Sequence, residues 1–469
     1  MMTDVPSRAR PSILQALALF QSLVPPSLLC GWIRAAGARF YERLYTPRVV
    51  LWCLLYQRLQ GDHTLDAVVG HVANGMADTL EQRHGAPLGE RVRSQNTAGY
   101  SRARARLPLS VLQQTVGHFA QVALGEGASE GRWHGHEVHL LDGTTVRMRP
   151  WGDIAEHYGL QRNRQRAAYW VVMRLVVGFS LHSGALTWAG EGPCSQSEQS
   201  LARQVLAQGT PDTLWMGDRN FGVFSIAQAV RHEQGWVLLR LTRSRAHYLA
   251  KHTLQPNEDL SVQWAPSPHD QYDPALSVEP IAGRLLFVRL ERQGFRPIDL
   301  HLFTTLCDVT RYTRDDLVAL YGQRWQVELH LRYVKRTLDL HLLRAKSVAM
   351  VQKELWAGLG AYNLVRVFMC RAAHQAGLPP LTLSFTCCWR RVQQGVLHEN
   401  EMAGSGNLTP SLPALLIRLA QCRLQRRDSL RLEPRAVRAY WRPYPPLKGS
   451  REEARQRALQ KLQVPPTKC

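Results

Sequence analysis

Tyr321-Gly-Gln-Arg324-Trp-Gln-Val-Glu328-Leu-His-Leu-Arg-Tyr-Val-Lys335: this run places Tyr321, Arg324, Glu328 and Lys335 at offsets of 0, 3, 7 and 14 residues. At roughly 100° per residue, a helix brings these four polar side chains within an arc of about 60°. An apolar stripe follows beside them at helical spacing, formed by Val327, Leu331, Val334 and Leu338. The pattern predicts one helix that docks by its apolar stripe and presents an acid among cations to a cleft, which suits phosphate chemistry. A surface helix with a solvated row of charges is the alternative.

Two further acids lie upstream, each after a short apolar run. Asp142 follows Val-His-Leu-Leu and precedes Gly143, and Asp218 follows Leu-Trp-Met-Gly. Each run is typical of a buried strand that ends in a carboxylate where the chain turns. For Asp142 alone, a turn-forming Asp-Gly pair is the alternative. Three carboxylates in the order strand, strand, helix favour one site that joins Asp142, Asp218 and Glu328.

These residues resemble the bacterial insertion-sequence transposases of the DDE superfamily, in the IS-four group that carries a Tyr-Arg-Glu-Lys signature. Asp142 matches the first acid in an Asp-Gly-Thr setting, Asp218 the second in Asp-Arg-Asn-Phe, and Glu328 the third. The resemblance is strong from about residue 136 to 370. On the amino-terminal side, only Tyr100-Ser-Arg-Ala-Arg-Ala-Arg-Leu-Pro108 is similar to the helical leader of the family.

The resemblance implies an α/β fold with a ribonuclease-H-like catalytic core, a β-rich insertion subdomain, and helical N-terminal and C-terminal regions. The first and fourth strands of such a sheet are neighbours, which at ~4.8 Å spacing would bring Asp142 and Asp218 together beside Glu328. The expected domains are a helical leader at 1–130, a core at 131–242 and 313–374, an insertion at 243–312 and a basic C-terminal region at 375–469.

Charge indicates a polyanionic partner. The chain has 58 Lys and Arg against 37 Asp and Glu, a net of +21, and the surplus predicts binding to nucleic acid. A ribosomal or membrane-surface protein could carry the same charge, although no basic amphipathic helix with a lipid-seeking face is evident. In the leader, Arg102, Arg104 and Arg106 are predicted to open a helix capped by Ser101 and to contact duplex DNA; a solvated arginine cluster is the alternative.

Several protein classes are disfavoured by the sequence. No unbroken apolar stretch reaches the ~18 residues of a membrane span, and the first residues lack the pattern of a secretory signal. The nine cysteines show no Cys-x-x-Cys spacing, so adjacent Cys387 and Cys388 are interpreted as buried residues rather than a zinc site. We expect a reduced compartment, the bacterial cytoplasm near the nucleoid.

Two regions carry less specific signals. Strands are predicted around Val262, at 285–290 and at 298–303, and this insertion is either a wall that holds the DNA end or a stabilising flap. The later chain is rich in arginine, at Arg418, Arg423, Arg426, Arg427, Arg431, Arg435 and Arg438. It precedes a charged helix at 451–462. We expect either a tail for DNA contact or self-association, or a mostly disordered end.

The resemblance implies metal-dependent phosphoryl transfer. Two Mg²⁺ ions, with Mn²⁺ as a substitute, would be held by Asp142, Asp218 and Glu328, because carboxylate oxygens are the ligands these hard cations prefer. The partners would be double-stranded DNA, as transposon ends and target, and a second copy of the chain in the end complex.

The remaining site candidates concern DNA. Arg324 and Lys335 are predicted to clamp phosphates beside the scissile one, and Tyr321 to donate a hydrogen bond to the DNA backbone. Trp325 is a candidate for stacking an exposed base, with a buried core tryptophan as the alternative. Arg219, next to Asp218, is a weaker phosphate candidate.

Three functions fit these signals. The first is an active transposase, which the three acids and the full signature favour. The second is a nuclease of the same fold that cuts without joining. The third is a non-catalytic DNA-binding or regulatory derivative, which would bind DNA tightly without metal-dependent nicking.

Overall fold

The computed structural model describes residues 15–40, 43–80, 86–126, 131–163, 166–274, 276–291, 297–397, 412–424 and 449–463. These residues form an α/β fold in which many helices surround one large mixed sheet. The C-terminal helix at Arg451–Gln463 belongs to a second compact unit and has Glu452 and Glu453 in its first turn.

The amino-terminal region is helical, as predicted. Its helices are α1 (Gln15–Leu23), α2 (Pro26–Ala35), α3 (Pro47–Leu59), α4 (Leu65–Ala73), α5 (Leu88–Arg91), α6 (Ala98–Arg106) and α7 (Leu109–Gly125). Helix α3 begins where Thr46 accepts a hydrogen bond from Val49 N, with Pro47 in the first turn, and it is buried along nearly its whole length. Such a helix needs partners on every side.

The sheet contains ten strands. They are β1 (Glu137–Met148), β2 (Leu160–Asn163), β3 (Arg166–Ser180), β4 (Leu186–Pro193), β5 (Thr213–Gly217), β6 (Trp236–Arg240), β7 (Asp259–Trp264), β8 (Ile281–Leu290), β9 (Ile298–Thr304) and β10 (Leu342–Leu343). The main path runs β2-β3-β1-β5-β6-β9-β8-β7, with β4 on β3 and β10 on β1. Strands β1, β5 and β6 are parallel neighbours, while β3 is antiparallel to β1.

The remaining helices of the described residues follow the leader along the chain. They are α8 (Ile154–Tyr158), α9 (Glu198–Leu206), α10 (Phe224–His232), α11 (Arg243–Ala250), α12 (Pro268–Gln271), α13 (Arg314–Tyr321), α14 (Gln326–Arg332), α15 (Val348–Gln375), α16 (Phe385–Leu397), α17 (Leu412–Ala420) and α18 (Arg451–Gln463). Helix α15 is buried over most of its 28 residues, and α3 and α7 pack directly against it.

The predicted insertion strands are confirmed, and they continue the main sheet. Strands β7, β8 and β9 form an antiparallel series, and β9 pairs with β6 from Leu238↔Thr304 to Arg240↔Leu302. The backbone groups on that edge of β6 are thereby satisfied within one sheet. The domain boundaries given above stay predictions.

The prediction of one continuous helix from Tyr321 to Lys335 is wrong. Helix α13 ends at Tyr321 and Gly322 follows as its C-cap, after which α14 begins only at Gln326. The link is tightened by hydrogen bonds between residues three apart, such as Glu328 N to Trp325 O at 3.1 Å. After α14 the chain widens into a π-helical turn, Tyr333–Thr337, closed by Leu338 N to Tyr333 O at 3.1 Å.

Two smaller predictions are also wrong. Asp142 does not end its strand, because β1 runs on through the Asp-Gly pair to Met148, and Gly143 pairs with Val176 of β3. The helix with the three arginines begins at Ala98 after Thr97, so Ser101 lies inside it rather than at its cap. On β1, pairing with β3 extends the strand beyond its local stop signal.

Within the described residues, no single helix is long and apolar enough to cross a membrane. One bent pair, Ala16–Leu23 with Pro26–Ala35, meets the test by length and composition alone, with a 60° bend. The predictions for Arg426, Arg427, Arg431, Arg435 and Arg438 lie outside the described residues.

Candidate active site

The two aspartates lie side by side at one edge of the sheet. Strands β1 and β5 pair in parallel up to Leu140↔Met216, and Asp142 and Asp218 each follow two residues later. Residues two apart on a strand face the same side, and neighbouring strands lie ~4.8 Å apart. The tertiary pairing therefore brings together two carboxylates that are far apart in sequence.

The surroundings of Asp142 disfavour its charged form. The pKa of Asp142 is raised to about 6, first by burial and then by the negative charges of Asp218 and Glu198. Two opposing contacts lower the pKa, a hydrogen bond from Gly143 N to Asp142 Oδ1 at 2.7 Å and the positive charge of Arg324. The pair of aspartates is thus poised for a positive ligand that relieves its repulsion.

Glu198 is a functional candidate that the sequence analysis missed. It lies in the first turn of α9, and its Oε2 accepts a hydrogen bond from Asn220 Nδ2 at 2.6 Å. Asn220 N in turn donates to Asp218 Oδ1 at 2.8 Å. The only sequence signal was an acid one residue after Ser197, which caps α9, and helix caps are too common to identify a site.

Glu328 does not join the aspartates. Its side chain is 65% exposed and forms an ion pair with Arg324, at 3.1 Å from Nη2 to Oε1. Arg324 is only 18% exposed, and its positive charge also lowers the pKa of Asp142. Its guanidinium therefore interacts favourably with both Glu328 and Asp142. Among the described residues, no three His, Cys, Asp or Glu side chains lie close enough to hold a metal ion.

Tyr321, the first residue of the signature, makes a structural contact within the protein. Tyr321 is buried, its hydroxyl donates to Gly217 O at 3.4 Å, and burial raises its pKa to about 12. This contact fixes the end of α13 against the end of β5, directly before Asp218. The hydroxyl is already used within the protein, which differs from the predicted contact with the DNA backbone.

Two arginines stand beside Asp218. Arg219 is exposed, as a phosphate candidate must be, and Arg240 at the end of β6 feels the charges of Arg219, Arg324 and Asp218. The sequence analysis missed Arg240, although the rule used for the aspartates would have found it. Its strand is parallel to β5 and ends at the same edge of the sheet.

Lys335 contacts β1 close to Asp142 in the chain. Its Nζ donates to Thr144 Oγ1 at 3.0 Å, two residues after Asp142 on β1. Burial, followed by the charges of Arg336 and Arg147, holds the pKa of Lys335 below its usual value. The π-helical turn at 333–337 carries Lys335 to this place, and such turns often occur at functional sites.

The remaining candidates divide by exposure. Trp325 is 54% exposed, so the alternative of a buried core tryptophan is wrong. On α6, Arg102 and Arg106 are exposed, whereas Arg104 points inward over the Tyr100 ring at 6.0 Å and burial lowers its pKa. Arg104 is therefore poorly placed for DNA contact compared with its two neighbours.

Buried side chains connect α14 to α15. Arg366 Nη2 of α15 donates to His330 Nδ1 at 2.9 Å, and Arg366 Nε donates to Tyr362 Oη at 2.9 Å. Burial, with Arg366 beside it, holds the pKa of His330 well below its usual value, so the neutral ring can accept this bond. The contact fastens the short helix of Glu328 to the central helix.

Comparison with known proteins identifies the family of the chain. The family model described as the transposase DDE domain matches residues 133–364. The transposase InsG for insertion sequence element IS4, from Escherichia coli strain K12, is 29% identical over 386 residues, which cover 80% of this chain and 82% of that protein. The putative transposase InsZ of the same organism is 31% identical over 127 residues, covering 25% of this chain and 42% of that protein.

Among solved structures, the chain resembles a piggyBac transposase in a synaptic complex with hairpin DNA. The TM-score is 0.42 at 8% identity, over 91% of this chain and 89% of that chain. The sequence matches span both aspartates and the whole Tyr321–Lys335 signature. The chain belongs to the DDE transposases, of the IS4 type.

Proposed function

We propose that this transposase binds the terminal inverted repeats of its own insertion sequence and cleaves and joins DNA strands, with Asp142, Asp218 and Glu328 as the catalytic acids. The observation that carries the proposal is the register of β1 and β5, which sets the first two acids side by side. Cations lie near them: Arg219, Arg240 and Arg324 interact electrostatically in the neighbourhood of Asp218, and Lys335 contacts Thr144 on β1. A phosphodiester backbone laid across the edge would meet positive charge near the acids.

The topology supports a ribonuclease-H-like core. Three antiparallel strands, β1, β3 and β4, are followed in sequence by β5 and β6, which lie parallel to β1 on its other side. The first and fourth core strands, β1 and β5, are therefore neighbours. This is the order expected for that core.

A divalent cation, Mg²⁺ with Mn²⁺ as a substitute and two ions in the complete site, is the proposed cofactor. Asp142 and Asp218 offer hard oxygen ligands at one edge. Glu328 does not fit as a third ligand in the arrangement described, because it faces Arg324 instead. When bound, the metal would stabilise the attacking and leaving oxygens of a phosphoryl transfer.

The Arg324–Glu328 ion pair offers a reason why Glu328 is turned away. Ion pairs between residues four apart on a helix typically contribute only about 0.3–0.5 kcal/mol, and the Glu328 carboxylate of this pair is largely exposed to solvent. A DNA phosphate can accept two parallel hydrogen bonds from a guanidinium and so competes well for Arg324. In this proposal, DNA binding draws Arg324 to a phosphate and releases Glu328 toward the aspartates.

DNA is the proposed partner of the exposed side chains. Trp325 would stack on an unpaired base, and Arg102 and Arg106 on α6 would contact the duplex. The active complex is proposed to contain two copies of the chain, one at each transposon end.

The proposal is tested by incubating the purified chain with labelled DNA from its own element ends and Mg²⁺. Cleavage and strand transfer are read on gels, and end binding is read by fluorescence anisotropy. We expect Glu328→Gln and Asp142→Asn to lose both reactions and to retain end binding, while Glu279→Gln, an exposed acid away from the site, keeps all three. Cleavage without joining would instead indicate a nuclease, and preserved cleavage in Glu328→Gln would remove Glu328 from the site.

A further inference from the structure

The first turn of α9 contacts the segments that carry both aspartates. The helix begins where Ser197 Oγ accepts from Ser200 N at 3.0 Å, and Glu198 follows directly. The Glu198 carboxylate lies over Gly143, where an added Cβ would come within 2.6 Å of its Cδ. Gly143 has no side chain, and the Glu198 carboxylate occupies the space that a Cβ at this position would need.

The same turn holds the loop after Asp218. Asn220 donates through Nδ2 to Glu198 Oε2 at 2.6 Å, and Gln199 Nε2 donates to Asn220 O at 2.8 Å. Asn220 also donates its backbone N–H to Asp218 Oδ1 at 2.8 Å. One residue, Asn220, therefore links the two carboxylates, with its side-chain amide on Glu198 and its backbone N–H on Asp218.

We propose that Glu198 is a positioning residue for the two aspartates. The Glu198 carboxylate contacts β1 at Gly143 and accepts a hydrogen bond from Asn220. These two contacts hold the loop of Asp218 against the strand of Asp142. Hydrogen bonds to a carboxylate are stronger than those between neutral groups, which suits a brace of this kind. The role rests on the proposed function, in which the spacing of the aspartates determines how a divalent cation is held.

The spacing matters because ligand oxygens must match the coordination distances of a small cation. Removing a group that orients a ligand typically lowers metal affinity or activity about 10–100-fold. Glu198 acts on Asp142 and Asp218 through Gly143 and Asn220, and it touches no substrate in this role. Its loss should therefore appear as weaker metal binding and slower chemistry, with little change in the affinity for DNA ends.

The test is a double-mutant cycle on the full chain with Glu198→Ala, Asn220→Ala and the combined variant. Mn²⁺ binding is measured without DNA by electron paramagnetic resonance, and kcat and KM are measured for cleavage of end DNA. Each single variant should weaken Mn²⁺ binding about tenfold and lower kcat with KM nearly unchanged, and the combined variant should lose no more than either single one.

Conservative and matched controls separate bracing from folding. Glu198→Gln keeps an oxygen that can accept from Asn220, so it should recover most of the loss, while Ser195→Ala at an exposed nearby position should behave as wild type. Thermal unfolding of each variant checks that it folds. Independent, multiplying losses in the combined variant, or wild-type Mn²⁺ affinity in Glu198→Ala, would overturn the proposal. A wild-type chain that binds Mn²⁺ but never cleaves would overturn the proposed function instead.

Discussion

For Asp142, the charged form that the proposed function needs is also the form that lowers the stability of the fold. Asp142 is held on β1 with Asp218 and Glu198 as acidic neighbours, and its pKa is raised to about 6, first by burial. The folded chain therefore binds a proton there more tightly than the unfolded chain, in which the pKa is about 3.9. The charged form that would attract a cation at neutral pH costs the fold some stability.

Asp142→Asn should consequently stabilise the fold at neutral pH. As the pH rises from about 4 to about 6, the free energy of unfolding of the wild type should fall, because the folded state binds more protons than the unfolded state in that window. At pH 7 the variant should gain on the order of 1–2 kcal/mol in free energy of unfolding, and near pH 4 the gain should vanish. Urea unfolding across this pH range measures it, and a variant that is less stable at pH 7 would contradict the account of Asp142.

Glu328→Gln should bind transposon-end DNA at least as tightly as wild type. Its ion pair with Arg324 is lost, so the guanidinium no longer has to leave a carboxylate before it meets a phosphate. A gain of about twofold corresponds to the small value of such a pair. Fluorescence anisotropy at constant salt measures the change, with Arg324→Ala as the matched variant that should bind more weakly. Weaker binding by Glu328→Gln would show that the pair does not restrain Arg324.

At the scale of elements, the signature is divided among three pieces of backbone. Tyr321 closes α13, Glu328 lies on the short α14, and Lys335 lies in the π-helical turn. Tyr321 contacts the end of β5, Lys335 contacts β1, and Glu328 pairs with Arg324. A straight helix would instead have presented them as a single row.

Lys335→Ala should weaken binding to end DNA through loss of one phosphate contact. The slope of log affinity against log salt should become shallower by about one unit. Thr144→Val is the matched control, since it removes the hydroxyl that Lys335 contacts and leaves the charge in place. Its salt slope should equal that of wild type. An unchanged slope in Lys335→Ala would exclude a phosphate role for this lysine.

At the scale of the molecule, α15 joins the helical leader to the sheet. Arg58 of α3 forms a buried ion pair with Glu354 of α15, and Glu354 also accepts from Arg344 N and Ala345 N at 2.8–3.1 Å. The exposed fractions of the two charged side chains are 6% and 10%. The ion pair connects three segments of the chain that are distant in sequence.

Glu354→Ala should therefore destabilise the whole fold. It leaves a buried guanidinium and two backbone N–H groups without their acceptor, and breaking a buried pair in this way costs about 3–5 kcal/mol. Urea unfolding monitored by circular dichroism measures the loss. The combined variant Arg58→Met, Glu354→Met should recover part of it, because no uncompensated charge is left inside. Equal stability of the single variant and wild type would contradict the role of the pair.

The sequence by itself determined the chemistry of this protein and most of its elements. The strands of Asp142 and Asp218, the insertion strands and the helical leader follow from local apolar patterns, and the family follows from the signature residues and their spacing. Local rules were insufficient where distant segments compete. The extension of β1 through Asp142 depends on its pairing with β3, and the break after Tyr321 positions Lys335 at β1. The approach of Glu198 and the pairing of Glu328 with Arg324 were likewise decided by tertiary structure, because the burial and charge that fix a side chain come from residues far away in sequence.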